Sequence, residues 1–354
     1  MSKKFTSGLL DWHINNPRDL PWKEDNDPYK TWVSEIIMQQ TRVAQGTPYY
    51  LKFIKAFPTI DDLANAEESK VLKLWEGLGY YSRARNMHFT AKYVQQEYKS
   101  VFPDTYKEIL NLKGIGPYTA AAIASFSFGL SYPVVDGNVL RVISRYFGIL
   151  KSIDESQTKK QIENICIELI EGTDPAIFNQ AIMNFGATQC IPGKPDCDYC
   201  KLAKNCQARI LNKVSEIPIR TKKVKQRDRY FLYYIISEGD HLFIRQRTGK
   251  DIWQGLYEFP MVEKKKELKI DIENDLNDLF TYKDVKISLP NNGSIFKQKL
   301  SHQTIYSKFI NLKIVAPIIL DSNTIKINQK EINKYSFPKT ILNYIKSKSL
   351  STLF

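Results

Sequence analysis

Cysteine is scarce here, with five residues in 354. That is too few for a secreted disulfide scaffold, which spreads many cysteines through a small chain. Long apolar runs are missing. The longest, such as residues 230–236, fall far short of the roughly 20 residues a membrane-spanning helix needs. The opening Met-Ser-Lys-Lys-Phe-Thr-Ser-Gly lacks an apolar signal region, so the expectation is an unexported, cytoplasmic protein with no membrane association. No long internal repeat is visible. Acidic residues are outnumbered, 38 against 51 Lys and Arg, for a net charge of +13. That excess favours a polyanionic partner, nucleic acid before a membrane surface, although Lys-rich chains without such a partner are common. What is present excludes disorder: 43% of residues are hydrophobic and 12% aromatic. A mass of 41.0 kDa predicts two or three domains.

Four of the five cysteines cluster: Cys190, Cys197, Cys200 and Cys206. Thiolates this close can converge on one centre, and they select zinc or an iron–sulfur cluster. The spacing alone leaves both open. Cys166 falls in an apolar-periodic stretch, residues 162–169, and reads as a small buried hydrophobe.

The first two hundred residues read as successive helices. Asp27-Pro28 opens one over residues 29–41, and Asp174-Pro175 opens another through Phe185. Asp61 and Asp104 mark further starts, and Ala-rich residues 119–125 favour helix over strand. After the cysteines, residues 213–228 carry Ile217-Pro218 and a basic run, and read as an exposed linker. Strand patterns follow at 230–236, 241–246, 303–312 and 313–320.

Leu112-Lys-Gly-Ile-Gly-Pro-Tyr-Thr-Ala120 lies between two helical segments. Gly114 and Gly116 permit a tight hairpin with uncovered amides, and Pro117 suits the first helical position. Amides beside a helix N-terminus make a phosphate site that positions a DNA backbone without reading sequence. The string is a helix–hairpin–helix candidate. Asp136 follows in Val135-Asp-Gly-Asn-Val139, after apolar residues, as a partly dry carboxylate, a helix cap, or both. Glu35 has Trp32, Met38 and Gln39 as helical neighbours. From those residues alone it fits either a desolvated acid or an ordinary solvated helix face.

A hairpin, then an aspartate, then four cysteines at 6-2-5 spacing resembles the helix–hairpin–helix DNA glycosylase superfamily. Leu20-Pro21-Trp22, the string from Trp32 to Thr41, Gly77-Leu-Gly-Tyr-Tyr-Ser-Arg-Ala-Arg-Asn86 and Val135-Asp-Gly-Asn-Val139 bring it closer to the MutY-type A/G-specific adenine glycosylases of its iron–sulfur branch. Trp253-Gln-Gly-Leu-Tyr-Glu-Phe-Pro260 resembles the Nudix fold as that family uses it. The following residues lack the carboxylate cluster that holds Mg²⁺ in hydrolytic relatives.

The resemblance implies a mainly α glycosylase domain over 1–212 with a [4Fe–4S] subdomain at 190–206, a linker over 213–228, and an α+β Nudix-like domain over 229–354 that recognises 8-oxoguanine. It implies a monomeric, monofunctional base-excision-repair enzyme. Its substrate would be adenine opposite 8-oxoguanine or G in double-stranded DNA. Glu35 would protonate the leaving base and Asp136 stabilise the sugar cation, with Tyr118 and Asn138 beside them. Tyr118 stands where bifunctional relatives carry a lysine, and a phenol cannot form an imine. Arg18, Leu20, Trp22 and Val43 would line the adenine pocket; Gln40 and Tyr80 would wedge beside 8-oxoguanine, with Tyr81 adjacent. Gly114 and Gly116 would meet phosphate, and Ser301 and His302 would sense the lesion, following Leu300 where relatives carry Phe. The four cysteines would hold the cluster.

Overall fold

The helices begin where the sequence offers an oxygen to their first amides. Asp27 accepts from Tyr29 N at 2.8 Å and opens the helix Pro28–Met38. Asp174 accepts from Ile177 N at 3.0 Å and opens Pro175–Thr188. Two starts differ from the sequence reading. Thr59, not Asp61, caps Ile60–Ala64, because its hydroxyl and the Asp62 carboxylate form a reciprocal capping box. Thr105, not Asp104, caps Tyr106–Asn111. The Asp61 carboxylate instead accepts from Gln95 and Ser100.

The computed structural model describes residues 2–23, 25–221, 225–279, 281–282, 295–313, 318–319 and 323–347. They form two units. The first comprises Met1–Asn65 with Phe89–Lys222, the second Ala66–His88 with Lys223–Phe354.

In the first unit, Phe5, Leu9 and Trp12 of the helix Ser2–Ile14 pack with Val142, Ile143 and Tyr146 of Gly137–Phe147 and with Phe178, Ile182 and Phe185 of Pro175–Thr188. Burying a side chain of this size stabilises by roughly 1.5–3 kcal/mol. Cys166 lies in this core, and burial pushes its thiol up to about 12, as suits an inert hydrophobe. The basic stretch read as a linker begins packed onto this unit. Ile217 is buried and its carbonyl accepts from Arg145 Nε at 2.9 Å, while the Ile219 carbonyl accepts from Ile153 N at 3.0 Å.

The second unit is built on strand β1 (Arg227–Glu238), which already takes in the last two residues of that stretch. Next come β2 (His241–Gln246), β3 (Tyr257–Glu258), β4 (Met261–Lys264), β5 (Thr281–Tyr282), β6 (Ile295–Lys299), β7 (Gln303–Lys313), β8 (Ile318–Ile319) and β9 (Thr324–Asn328). The main sheet runs β3-β2-β1-β7-β6, with β4 also on β1 and β9 on β2. β1 and β7 are parallel, with Tyr230 opposite Tyr306. Residues 231–236 are all buried, which explains their unbroken apolar run: both faces of β1 are covered. One face carries Leu232, Tyr234 and Ile236. On the other, Phe309 stacks on Tyr344 of the helix Lys339–Ser347 at 4.1 Å. Of the strand expected at 313–320, Lys313 ends β7 and 318–319 form β8 against β5; 314–317 and 320 lie outside the described residues.

The helix Glu68–Leu74 and the turn after it belong to this second unit, although the sequence pattern places them with the first domain. Among the described residues, no helix is long and apolar enough to cross a membrane.

Candidate active site

Two helices of the first unit face each other through small and polar side chains. Ala120, Ala121, Ala122 and Ala124 keep the helix Pro117–Phe128 slim. Polar ties then set its register on Pro28–Met38. Ser127 Oγ donates to Thr31 Oγ1 at 3.0 Å, and Gln39 Nε2 donates to Thr119 Oγ1 at 3.2 Å. Between them, Tyr118 Oη donates to Glu35 Oε2 at 2.7 Å.

Glu35 is 7% exposed, so the solvated-face reading fails. Desolvation raises its pKa to about 7, against the opposing effect of the Tyr118 hydrogen bond and with a further push from the Asp136 charge. Tyr118 is held well above its ordinary value by burial and by Glu35, so it remains a neutral donor.

Asp136 is at once the helix cap and the second carboxylate. Its Oδ1 accepts from Val139 N and its Oδ2 from Asn138 Nδ2, both at 2.7 Å. Burial raises its pKa, while these bonds and Arg141 act to keep it ionised. Asn138 is itself fixed. Its Oδ1 accepts from Arg141 Nη2 at 2.9 Å, and that guanidinium also donates to the carbonyls of Gly186 and Cys190 at 2.6 and 2.8 Å. Gly186 must be glycine for close approach: a Cβ there would stand 2.7 Å from Asn138 Cβ.

A cleft of about 210 Å³ opens onto Glu35 and is lined by Trp22, Thr31, Ser34, Phe126 and Gln180 among others. Of the expected adenine-pocket residues, Trp22 lines it and stacks edge-on to Tyr50 at 5.4 Å. Leu20 is buried, and Arg18 and Val43 half-buried, none of them lining the cleft. The sequence reading missed Gln180, whose Nε2 donates to Asn184 Oδ1 at 2.8 Å. Its one sequence signal is a run of polar residues, Asn179, Gln180 and Asn184, on a capped helix that otherwise reads mostly as core.

The hairpin is exposed at Lys113, Gly114 and Gly116. Gly114 has φ +83°, and a Cβ on Gly116 would meet open space, so an incoming ligand can reach the backbone there. Thr90 Oγ1 holds the Lys113 carbonyl at 2.8 Å, and Lys113 Nζ lies 4.0 Å from the Phe89 ring centroid. Gln40, just beyond its helix, is exposed and left-handed at φ +57°.

Cys190, Cys197, Cys200 and Cys206 line one small cleft. Arg145 Nη1 donates to Cys190 Sγ at 3.4 Å, and Cys206 Sγ reaches the Arg145 carbonyl at 3.5 Å. Among the described residues, no three His, Cys, Asp or Glu side chains stand close enough together to hold a single metal ion.

The second unit brings together two other expected residues. Leu300 N bonds to Gln303 O at 2.8 Å and closes a tight turn between β6 and β7, leaving Ser301 and His302 exposed. Ser301 Oγ is hydrogen-bonded to Tyr80 Oη. Tyr80 is 44% exposed, whereas Tyr81 is 5% exposed and accepts from Gly77 N, so of the adjacent rings Tyr80 is the one presented. In the helix Ile272–Leu279, Asp275 is committed to Tyr234 and Lys264.

Comparisons with known proteins also find two regions, although the first match runs through residues 66–88, which pack with the second unit. Residues 33–170 match the HhH-GPD superfamily of base excision DNA repair proteins, and 232–347 match the NUDIX domain. The chain is 38% identical to the adenine DNA glycosylase of Buchnera aphidicola subsp. Baizongia pistaciae, covering 85% of this chain and 84% of that one. It is 35% identical to the protein of the same name from Buchnera aphidicola subsp. Acyrthosiphon pisum, over 93% and 91%. A thermostable thymine-DNA glycosylase superposes with a TM-score of 0.55 at 30% identity, over 59% of this chain and 97% of its own.

The carboxylate geometry predicts a pH-dependent stability. Glu35 has a folded pKa near 7 against 4.5 in the unfolded chain, so its stabilising contribution is complete below 4.5 and is lost as pH rises through 7. Above that, the ionised buried carboxylate destabilises by about 3 kcal/mol. Glu35→Gln therefore gains about that much on wild type between pH 5 and pH 8 in urea unfolding. Parallel pH profiles for the two proteins would contradict the burial argument.

Proposed function

This chain belongs to the adenine DNA glycosylases of the HhH-GPD superfamily, and from that premise we propose that it excises adenine paired with 8-oxoguanine, and with G, without cutting the strand. It is an adenine-specific DNA glycosylase. The observation that carries the mechanism is the pairing of a raised-pKa carboxyl, Glu35, with a hydrogen-bonded carboxylate, Asp136.

Breaking an N-glycosidic bond needs a proton for the departing base and a negative charge for the oxocarbenium-like sugar. Glu35, with a pKa near 7, is protonated often enough at neutral pH to give that proton and basic enough afterwards to take one from water. Asp136 is anchored by two donors on one helix turn, so its charge faces the developing cation with little reorganisation. Tyr118 fixes the Glu35 carboxyl and offers no amine to the sugar, so the product is an abasic site on an intact strand. The target base must first leave the stack. The hairpin amides and the N-terminus of Pro117–Phe128 would take a backbone phosphate, and the net charge of +13 suits DNA. Gln40 and Tyr80, both at positive φ and exposed, suit a wedge into the duplex. Ser301 and His302 provide donors and acceptors that distinguish 8-oxoguanine from G at N7–H and O8.

Cys190, Cys197, Cys200 and Cys206 would hold a [4Fe–4S] cluster, with Arg145 donating to a sulfur. Four thiol side chains lining one cleft are the donor set that such a cluster would take. The cluster would brace this loop; base hydrolysis needs no electrons.

Three measurements test these readings. Glu35→Gln slows single-turnover excision from 8-oxoguanine:A duplexes by about 10²–10⁴-fold while retaining binding. Near-wild-type excision removes Glu35 from the chemistry. Anaerobically purified protein contains about four irons per chain; stoichiometric zinc without iron rejects the cluster. Ser301→Ala combined with His302→Ala weakens binding to 8-oxoguanine:A more than to G:A, by about 1–3 kcal/mol. An equal loss for both pairs assigns the turn no part in lesion sensing.

A further inference from the structure

Lys73 lies in the last turn of the helix Glu68–Leu74 and Glu76 two residues beyond its end, leading into the turn that carries Tyr80. Their side chains do more than pair with each other. Lys73 Nζ lies 2.9 Å from Glu76 Oε2 and also donates to the Tyr335 carbonyl at 2.9 Å. The other carboxylate oxygen, Glu76 Oε1, accepts from Phe337 N at 2.9 Å. In an extended segment, the carbonyl of one residue and the amide two residues on point to the same side. The ion pair therefore reads the edge of residues 335–337 as a neighbouring strand would. The opposite edge is also taken, because the Ser336 carbonyl accepts from Tyr257 N at 2.8 Å.

The turn beyond Glu76 is braced internally. Gly77, Gly79 and Tyr80 have φ of +97°, +78° and +48°. Trp75 Nε1 donates to the Gly79 carbonyl at 3.1 Å, and the Arg83 guanidinium lies 5.4 and 5.3 Å from the rings of Trp75 and Tyr80. These contacts tie Tyr80 back to Trp75, so whatever grips the base of the turn also bears on where Tyr80 sits. Arg85 adds a second grip through the Gln254 carbonyl. A Cβ on Gly255 would stand 3.1 Å from Leu72 Cδ1, so the backbone approaches closely there.

We propose that Lys73 and Glu76 are positioning residues that clasp residues 335–337 and so hold Tyr80 beside Ser301, making the lesion contact a property of both ends of the chain. The inference rests on the reading of Tyr80 as a DNA contact. Neither residue touches the reacting atoms.

The test uses the full-length protein. Glu76→Ala raises hydrogen exchange at residues 77–81 by about tenfold, and Lys73→Met acts in the same direction. Glu76→Gln, which keeps an oxygen for Phe337 N, restores most of the protection. Affinity for an 8-oxoguanine:A duplex falls about fivefold to tenfold in Glu76→Ala, a coupling-sized effect. Single-turnover excision at saturating enzyme is unchanged. In a Tyr80→Ala background, Glu76→Ala has no further effect on affinity. Unchanged exchange at 77–81 overturns the clasp. An affinity loss of equal size with and without Tyr80 also overturns it, because it marks general destabilisation. If Tyr80→Ala alone binds normally, the reading of Tyr80 fails, and the exchange measurement still decides whether the clasp exists.

Discussion

A carboxyl kept out of water on a helix that must still fold governs the first unit. The hydrogen bond from Tyr118 to Glu35 needs both helices in register to a few tenths of an ångström, and the flanking Thr31–Ser127 and Gln39–Thr119 bonds supply that register. The alanines of Pro117–Phe128 let the helices approach without a bulky side chain filling the space the phenol uses. A buried acid of this kind opposes folding at neutral pH, and the large apolar cluster of the same unit, which takes in Phe5 and Leu202, helps to offset that cost.

The second unit solves a different electrostatic problem. Glu258 is 1% exposed and is neutralised by Arg245 and Arg247 at 3.0 and 2.7 Å. Arg229 bridges Asp251 and Glu263, with its guanidinium 4.8 Å from the Phe231 ring. A paired and hydrogen-bonded network of this kind is costly to break at any one member. It stiffens β1, β2 and β4, and β1 carries β7, the strand that leads out of the Ser301 turn. Loop residues that read a ligand gain precision from such a scaffold.

Much of this was legible in the sequence because local chemistry announced it. Asp27-Pro28 and Asp174-Pro175 are caps whatever surrounds them, and the unbroken run at 231–236 is a strand buried on both faces. The hairpin, Asp136 and the four cysteines carried meaning together only through a family resemblance, since their spacing alone left the cysteines' ligand open. What was not legible is tertiary. Thr59 and Thr105 outcompeted nearby aspartates because of where Asp62 and Glu108 reach. Burial of Glu35 depends on helices that pack around it, and composition does not reveal them. Gln180 enters the cleft from a helix whose polar residues do not reveal which of them reaches a cleft, since neighbouring Asn179 is fully buried. The clasp on residues 335–337 uses main-chain atoms, which leave no mark on residue identity.

The clasp also has a consequence for synthesis. Glu76 and Phe337 are 261 residues apart. At translation rates of 5–20 residues per second, the turn bearing Tyr80 waits on the order of ten to fifty seconds after emerging before its partner strand exists. For most of that interval Leu72 has no Gly255 to pack beside, and until its end the ion pair has no backbone at residues 335–337 to grip. The nascent chain thus carries an unfinished patch until residues 335–337 emerge, and ribosome-bound chains halted before Tyr335 present it to chaperones and proteases.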